Sequence, residues 1–567
     1  MIKMPAAGGE FIATLKDAEK FDVIVVGSGP GGCAAALSAA NNGAKTLLIE
    51  RVSYLGGNMT GGSINGIGIN GYIFRDQSDF DGRPRPYVVE GLSLEIYKRL
   101  QAAGGALPGK PKTRGPVDSM ILTHVLDEMM EEFGVTVLFN TVVFDTLVED
   151  GKVKGVAVSN KSGGQVYYAD VVVDCSADGD VAARAGCDFE VGRPDGRTHG
   201  GSLDMQIGGI DVEKFIDYMK NQPIMPDDER EQLERDRKEL IGGGGEPNSA
   251  VDPDGNVVYR APKYTATDWD KVEDAIKNGN VPHMRIAMSG GGPYPGTAYV
   301  DKDGKYIPAQ MEFDKAWIDY IKAGKVPRLY GAVKPVFPPP RFGGIGIFRH
   351  GKNRLGQMQA GVYECWFDQT DEMDISKAIT FMRKLNKAYL SFLRECIPGF
   401  EEAYFINEAP MPGTRESRRI NGEYTITWED VLDGVEFDDV IALGGPRAGD
   451  AHSITGLWGD GVVTDGIVRN GTHTTWDKPC MIPYRCLVPQ TIDNLLTGGR
   501  CISGDYVAMG GLRDMSTCMA TGEAAGCAAA LASKAGVAPR KLDVKQLQTA
   551  LKAQGVKLYV DPSELKA

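Results

Sequence analysis

The chain has 567 residues, too many for one ordinary hydrophobic core and enough for two or three domains. Apolar residues make up 42% and charged residues 24%, the balance of a folded globular protein rather than a disordered one. Sixty-two Lys and Arg stand against 76 Asp and Glu, a net charge of −14, which argues against general affinity for nucleic acid or an anionic membrane.

The sequence has no unbroken apolar run of about 18 residues, so no membrane span is expected. The opening MIKMPAAGGEFIATLKDAEK lacks a basic start followed by an apolar core, so no secretory signal is expected. The ten cysteines are scattered without a CxxC pair. Iron–sulfur or zinc ligation is therefore not expected, and reduced thiols in a cytoplasmic protein are.

Residues 21–51, FDVIVVGSGPGGCAAALSAANNGAKTLLIER, carry the first motif. Val23–Val26 are uniformly apolar, as in a buried parallel strand. The turn Gly27-Ser28-Gly29-Pro30-Gly31-Gly32 matches GxGxxG: Gly27 for the tight turn, Gly29 for close approach to a pyrophosphate, Gly32 for helix–strand packing. Pro30 suits a first helical turn, where no amide hydrogen is needed. Gly43 ends the helix, a second strand runs Lys45–Ile49, and Glu50 is placed to accept from ribose hydroxyls. A dinucleotide site is expected, for NAD or FAD.

Three features favour FAD. Arg51 is followed by a second glycine-rich loop, GGNMTGGSINGIGINGY, Gly56–Tyr72, and a flavin's ribityl chain and ring need such backbone beyond the pyrophosphate. GVTVLFNTVVFDTLVEDGKVKGVAV alternates like paired strands with a turn at Asp150-Gly151, before a buried strand ending at Asp174 and the turn Ser176–Asp180. Residues 494–536 run from a strand into Gly498-Gly499-Arg500, then Asp505, then a small-residue helix starting near Asp514. Its Gly522 and Gly526 permit close packing, Arg513, Glu523 and Lys534 exclude a membrane span, and its N-terminus would favour negative charge on a reduced flavin.

Between these parts, GGIDVEKFIDYM, DWDKVEDAIKNG and ISKAITFMRKLNKAYLSFLREC read as helices. VVYRAPKYTA and GGPYPGTAYVDKDGKYIPAQMEF read as strands or hairpins, and IGGGGEPNSAVDPDG and PVFPPPRFGG as loops.

The stretches GSGPGG, GGNMTGG, DCSADGD, CIPGFEEAY, GTRESRRINGEY, MIPYRCLVP and GGRCISGDYVAMGGLRDMSTCMATGEAAG together resemble the FAD-dependent oxidoreductase family. That family lies in the glutathione-reductase-like superfamily, related to the fumarate reductase and succinate dehydrogenase flavoproteins. The resemblance spans about 20–540 and implies an α/β protein: a Rossmann-like FAD-binding domain of the glutathione-reductase-like type with an inserted α+β substrate or cap domain. The expected division is 20–200 and 431–540 for the FAD domain, 201–430 for the cap, and 541–567 for a C-terminal helix and tail. Cap proximity would exclude water from hydride transfer.

The resemblance also implies the cofactor residues. Gly27, Gly29, Gly31 and Gly32 fall at the pyrophosphate and Glu50 at the adenosine ribose, with Pro30 and Arg51 also counted among the cofactor-binding residues. Gly57, Asn58, Met59 and Thr60 line the path to the flavin ring, and Val143 contacts adenine through its backbone. Ala177 and Gly179 belong to the turn after Asp174. Asp505, Leu512, Arg513 and Met515 fall near the ribityl chain and the pyrimidine edge. Fumarate-reductase flavoproteins can carry a histidine in the second glycine loop, bound covalently to the flavin. No histidine precedes His124 here, so non-covalent FAD is expected.

The expected chemistry is hydride transfer between flavin N5 and a C–C or C–O bond of a small organic substrate. The alternative is a redox-neutral isomerase or dehydratase that borrows and returns the hydride. Candidate proton-handling and orienting residues are His452 in GDAHSITG, His350 in IFRHGKNR, Tyr424 and Tyr484. Arg415 and Arg418 or Arg419, three or four apart, would share a helical face and hold a carboxylate, or else form plain salt bridges with nearby glutamates. GGIGIF at 343–348 lacks a following helix and acid, and Cys480 and Cys486 are separated by five residues, so neither a second dinucleotide site nor a CxxxxC redox pair is expected. Electrons would pass to or from oxygen, a quinone, a carrier protein or a second substrate. Substrate identity, reaction direction and oligomeric state, a homo-oligomer among the choices, stay open.

Overall fold

The computed structural model describes residues 15–64, 88–106, 117–192, 198–199, 201–211, 315–326, 367–445 and 479–560 in the main, together with the strands and helices named below. The first sheet starts at β1 (Lys16–Val26), whose apolar second half is buried, as in a strand covered on both faces. Helix α1 (Pro30–Asn41) leads to β2 (Thr46–Ile49), buried throughout. After α2 (Leu92–Ala102) and α3 (Ser119–Glu132) come β3 (Thr136–Leu138), β4 (Val142–Glu149), β5 (Lys152–Asn160) and β6 (Gly163–Asp174).

The strand order is β3-β2-β1-β6-β5-β4. Strands β3, β2, β1 and β6 are parallel, whereas β4 and β5 form an antiparallel meander with β6. Asp150 (φ 51°) and Gly151 (φ 71°) make the turn between β4 and β5, both with the positive φ of a primed hairpin turn.

A second sheet contains β7 (Gly201–Asp211), β8 (His283–Ile286), β9 (Ile345–Arg349), β10 (Leu355–Cys365) and β11 (Tyr404–Glu408). Its order is β8-β9-β10-β7-β11, antiparallel throughout. Helix α4 (Glu372–Cys396) is N-capped by Asp371, which accepts from the Met373 and Asp374 amides. It joins a core of its own with Phe215, Trp317, Tyr389, Phe392 and Phe400. Residues 309–322, whose first part reads as hairpin in sequence, form a helix. Good helix formers begin it, and Trp317, Tyr320 and Ile321 recur on one face against this second core. The sequence-expected helix at 208–219 starts only at Val212, because Gly208–Asp211 complete β7. The expected helix at 268–279 lies outside the described residues.

The chain returns to the first sheet as β12 (Leu495–Thr497), parallel to β6. Helix α5 (Met515–Ala535) then packs on α1. A methyl on Gly522 would overlap the Gly31 carbonyl, and one on Gly526 the Ala35 carbonyl, so the helices meet backbone to backbone. Helix 544–553 closes the described chain. Among the described residues no helix is long and apolar enough to cross a membrane.

Candidate functional site

The glycine turn lies at the carboxyl end of β1, where the chain has strands β2 and β3 on one side and β6 and β12 on the other. Open α/β sheets form their ligand crevice at such a switch point. Gly27 has φ +89°, and a side chain there would press on the backbone of Cys175 and Ser176. A Cβ on Gly32 would overlap the Gly27 carbonyl. A Cβ on Gly29 would meet nothing within 4 Å. Gly29 is also the N-cap of α1 and offers no side-chain bond to the helix amides. Closure of the turn thus leaves open space directly before an uncapped helix N-terminus, where an anion is stabilised by free N–H groups and the helix dipole.

Glu50, at the end of β2, is buried. Its Oε2 accepts from the Ser28 amide at 2.7 Å and the Ser28 hydroxyl at 2.6 Å, and its Oε1 accepts from the Val52 amide at 3.0 Å. The acid therefore braces the glycine turn from the adjacent strand. Arg51 beside it is exposed.

The second glycine loop stacks on the first. Gly56 (φ 97°) donates its amide to the Ser28 carbonyl at 2.8 Å, and a Cβ on Gly57 would lie 2.8 Å from Gly29 Cα. A 3-10 turn follows over Gly57–Met59, with Met59 buried and the Thr60 hydroxyl donating to the Leu55 carbonyl. Asn58 Oδ1 is buried with no partner among the described residues. On the far side, Asp174 accepts from Ser176 and from the Ala182 amide, tying the end of β6 to the short helix Asp180–Arg184. Ala177 (φ 70°) and Gly179 (φ 64°) both take left-handed backbone in that turn. Val143 lies on β4 beside the apolar cluster that includes Val156 and Val158.

Asp505 closes the crevice from the tail. Its carboxylate accepts from the amides of Trp428 at 2.7 Å, Val507 at 2.9 Å and Ala508 at 2.7 Å, and burial raises its pKa above the ordinary value. Leu512 is buried, Arg513 directly precedes Asp514, and Met515 opens α5. Asp514 makes no side-chain cap, and Thr517 Oγ1, in the first turn, is buried without a partner among the described residues. Two stacked glycine loops, two uncapped helix N-termini and two orphaned buried polar atoms fit an extended phosphorylated dinucleotide, and the residues present fit FAD.

The candidate catalytic residues separate. His350 and His452 lie outside the described residues. Tyr484 is buried with its hydroxyl on the Pro539 carbonyl at 3.0 Å. Tyr424 donates to Asp430 at 2.8 Å, and burial raises its pKa to about 12. The expected shared helical face for the arginines is corrected by the structure. Arg418–Ile420 is a strand paired with Phe189–Val191, so neighbouring side chains point to opposite sides. Arg418 bonds the Asp178 carbonyl and the Asp180 carboxylate, both at 3.0 Å. Arg419 bonds Glu416, Glu190, and the Gly192 and Gly504 carbonyls. Arg415 is buried and reaches Ser202 Oγ at 3.1 Å, at the start of β7.

Sequence reasoning passed over a buried polar junction between the two sheets. Arg500 bonds Ser417 Oγ and Thr414 Oγ1, each at 3.0 Å, and Asp178, which also accepts from Ser417 at 2.6 Å. Burial opposes the Asp178 charge, but Arg500 and Ser417 hold its pKa below the ordinary value. His199 is fully buried, its Nε2 lies 3.1 Å from the Tyr506 carbonyl, and its ring lies 4.4 Å from that of Tyr506. A carbonyl only accepts, so Nε2 carries the hydrogen. The signal available in sequence was position alone: THGGS falls where the chain passes from the first sheet to the second.

Sheet, crevice and loops define an FAD-binding α/β enzyme. The chain belongs to the FAD dependent oxidoreductase family, whose model matches residues 22–551, and it is accordingly a flavoenzyme with FAD as its cofactor. It is similar to a thiamine thiazole synthase of Aeropyrum pernix, 33% identical over 150 residues, 26% of this chain and 47% of that one. It is also similar to the tRNA uridine 5-carboxymethylaminomethyl modification enzyme MnmG of Desulfotalea psychrophila, 31% identical over 140 residues, 24% of this chain and 21% of that one. The chain thus spans less than half the length of these relatives. Among solved structures, a geranylgeranyl bacteriochlorophyll reductase-like protein of Thermoplasma acidophilum aligns over 96% of this chain and 90% of its own, at 13% identity and a TM-score of 0.36.

Proposed function

We propose that the protein is a dehydrogenase or reductase that moves a hydride between FAD and a C–C or C–O bond of a small organic molecule. The first sheet with α1 and α5 serves as a glutathione-reductase-like FAD domain, residues 20–200 and 431–540, and residues 201–430 as a substrate cap. FAD supplies a two-electron acceptor or donor. Gly29 and the α1 amides receive its pyrophosphate, Glu50 its ribose, the loop at Gly57–Thr60 the path to the ring, and the first turn of α5 the charge that reduction adds. Arg415, at the junction of the two sheets, orients an anionic substrate. Electrons pass to or from oxygen, a quinone or a carrier protein, in the cytoplasm.

The observation that carries this reading is the open face of Gly29, the one position of the turn where a methyl meets no protein atom within 4 Å. Gly29→Ala is therefore expected to leave the thermal midpoint of the FAD-free protein unchanged while weakening FAD binding about tenfold or more, about 1.4 kcal/mol per decade. Unaltered FAD affinity in that variant, read by fluorescence titration, would remove the site from this crevice. Anaerobic mixing with small hydroxy acids separates net oxidation, which bleaches the flavin, from redox-neutral turnover, which does not.

A further inference from the structure

The residues named above leave open where the second hydrogen of a two-electron reaction goes. Glu416 stands in the polar junction, joined through Arg419 to the backbone that leads into Asp505. It is fully buried. Its Oε1 accepts from the Gly192 amide at 2.8 Å and from Arg419. Arg419 in turn donates to the Gly504 carbonyl at 3.0 Å, one residue before Asp505. Oε2 has no partner among the described residues. A carboxylate clamped at one oxygen and bare at the other is an unexpected thing to bury, because each unmade bond to a charged acceptor is costly.

We propose that Glu416 is the proton-holding residue of this flavoenzyme, with Oε2 as the oxygen that takes and gives the proton. This rests on the function proposed above. When substrate is oxidised, one hydrogen leaves carbon with its electron pair and reduces FAD. The other leaves as H+ to Oε2, forming the O–H of a neutral acid as the substrate gains its double bond. In reduction the same atoms move in reverse. The cations Arg419 and Arg500 face the carboxyl, Glu190 shares Arg419, and the His199 backbone amide donates to the carboxyl as well. Burial, the largest influence, raises the acid's pKa above the ordinary value, against the pull of the two arginines. Added negative charge on a neighbouring flavin would raise it further.

The test needs no known substrate. The FAD-loaded full chain is reduced by light with EDTA as electron donor, which supplies both electrons, and the infrared difference spectrum is recorded in H2O and D2O. A carboxylic-acid C=O band that appears on reduction, shifts in D2O, persists in Glu523→Gln and is absent from FAD-loaded Glu416→Gln is the expected result. No acid band in the wild type overturns the proposal. So does a band that survives in Glu416→Gln or disappears in Glu523→Gln. Should Glu416→Gln fail to hold FAD, Glu416→Asp replaces it: the band must then move in frequency, and an unmoved band is equally fatal. Failure of the wild type to take up FAD at all would instead sink the function proposed above.

Discussion

Glu523 shows how much one buried side chain can impose on the pH response. It sits on the inner face of α5, 1% exposed, with Oε2 accepting from the Leu92 amide at 2.9 Å and Oε1 unpartnered among the described residues. It caps α2 from another helix, at Gly91, whose positive φ (+73°) brings the backbone against the carboxyl. Burial lifts its pKa from 4.5 to about 8, opposed only weakly by the Leu92 amide. An acid whose folded pKa exceeds its unfolded one binds more protons folded than unfolded between the two values. Folding is therefore progressively destabilised as pH rises from about 4.5 to about 8, by about 1.4 kcal/mol per unit of separation, and is flat above. Glu523→Gln keeps an acceptor for Leu92 and removes the titration. Thermal melts are expected to show the variant equal to wild type in acid and increasingly more stable toward alkaline pH; parallel curves would mean the carboxyl does not titrate there.

At the scale of elements, the α1–α5 contact decides whether the crevice exists. Two helices can approach backbone to backbone only where side chains are missing, and Gly522 and Gly526, one turn apart, supply that gap against Gly31 and Ala35. The neighbours are main-chain carbonyls and cannot rotate aside. Gly526→Ala is expected to destabilise by about 1–3 kcal/mol or more through overpacking, and to lower the fraction of FAD retained on purification. Gly29→Ala should spare stability and reduce only affinity. The flavin absorbance per protein and the melting midpoint together separate these two outcomes. If Gly526→Ala leaves both untouched, α1 and α5 are not packed this closely.

For the molecule as a whole, a buried polar network lies where the described residues of the two sheets meet. Arg500 from the tail, Asp178 from the turn after β6, and Thr414 and Ser417 from the loop between β11 and the strand Arg418–Ile420 meet in it. Removing one partner leaves the others desolvated, which costs more than the pair contributes when intact. Arg500→Met is expected to destabilise by about 3–5 kcal/mol and to open the junction to proteolysis near residues 412–418. The held-down pKa of Asp178 adds that the network is intact above the ordinary carboxylate range and weakens as pH falls through its lowered value. A variant as protease-resistant as wild type would show that the sheets are held together elsewhere.

The sequence alone determined the parts whose physics is local. A turn that needs φ +89°, a strand covered on both faces, and a helix of small residues each leave a composition that only a few residues satisfy, so Gly27, Val23–Val26 and Gly522 are readable one position at a time. Helix α5, expected to start near Asp514, begins at Met515 for the same reason. Tertiary structure alone decided which polar side chains have partners already. Arg418, Tyr424 and Tyr484 share residue type with catalytic groups, yet their polar atoms are already bonded to Asp180, Asp430 and the Pro539 carbonyl. Glu416 looks like one more acid among arginines until the fold buries it in the junction beside Arg419 with one oxygen unpaired among the described residues. A hydrogen bond is made or left unmade by chain segments hundreds of positions apart, and no spacing within a motif records which.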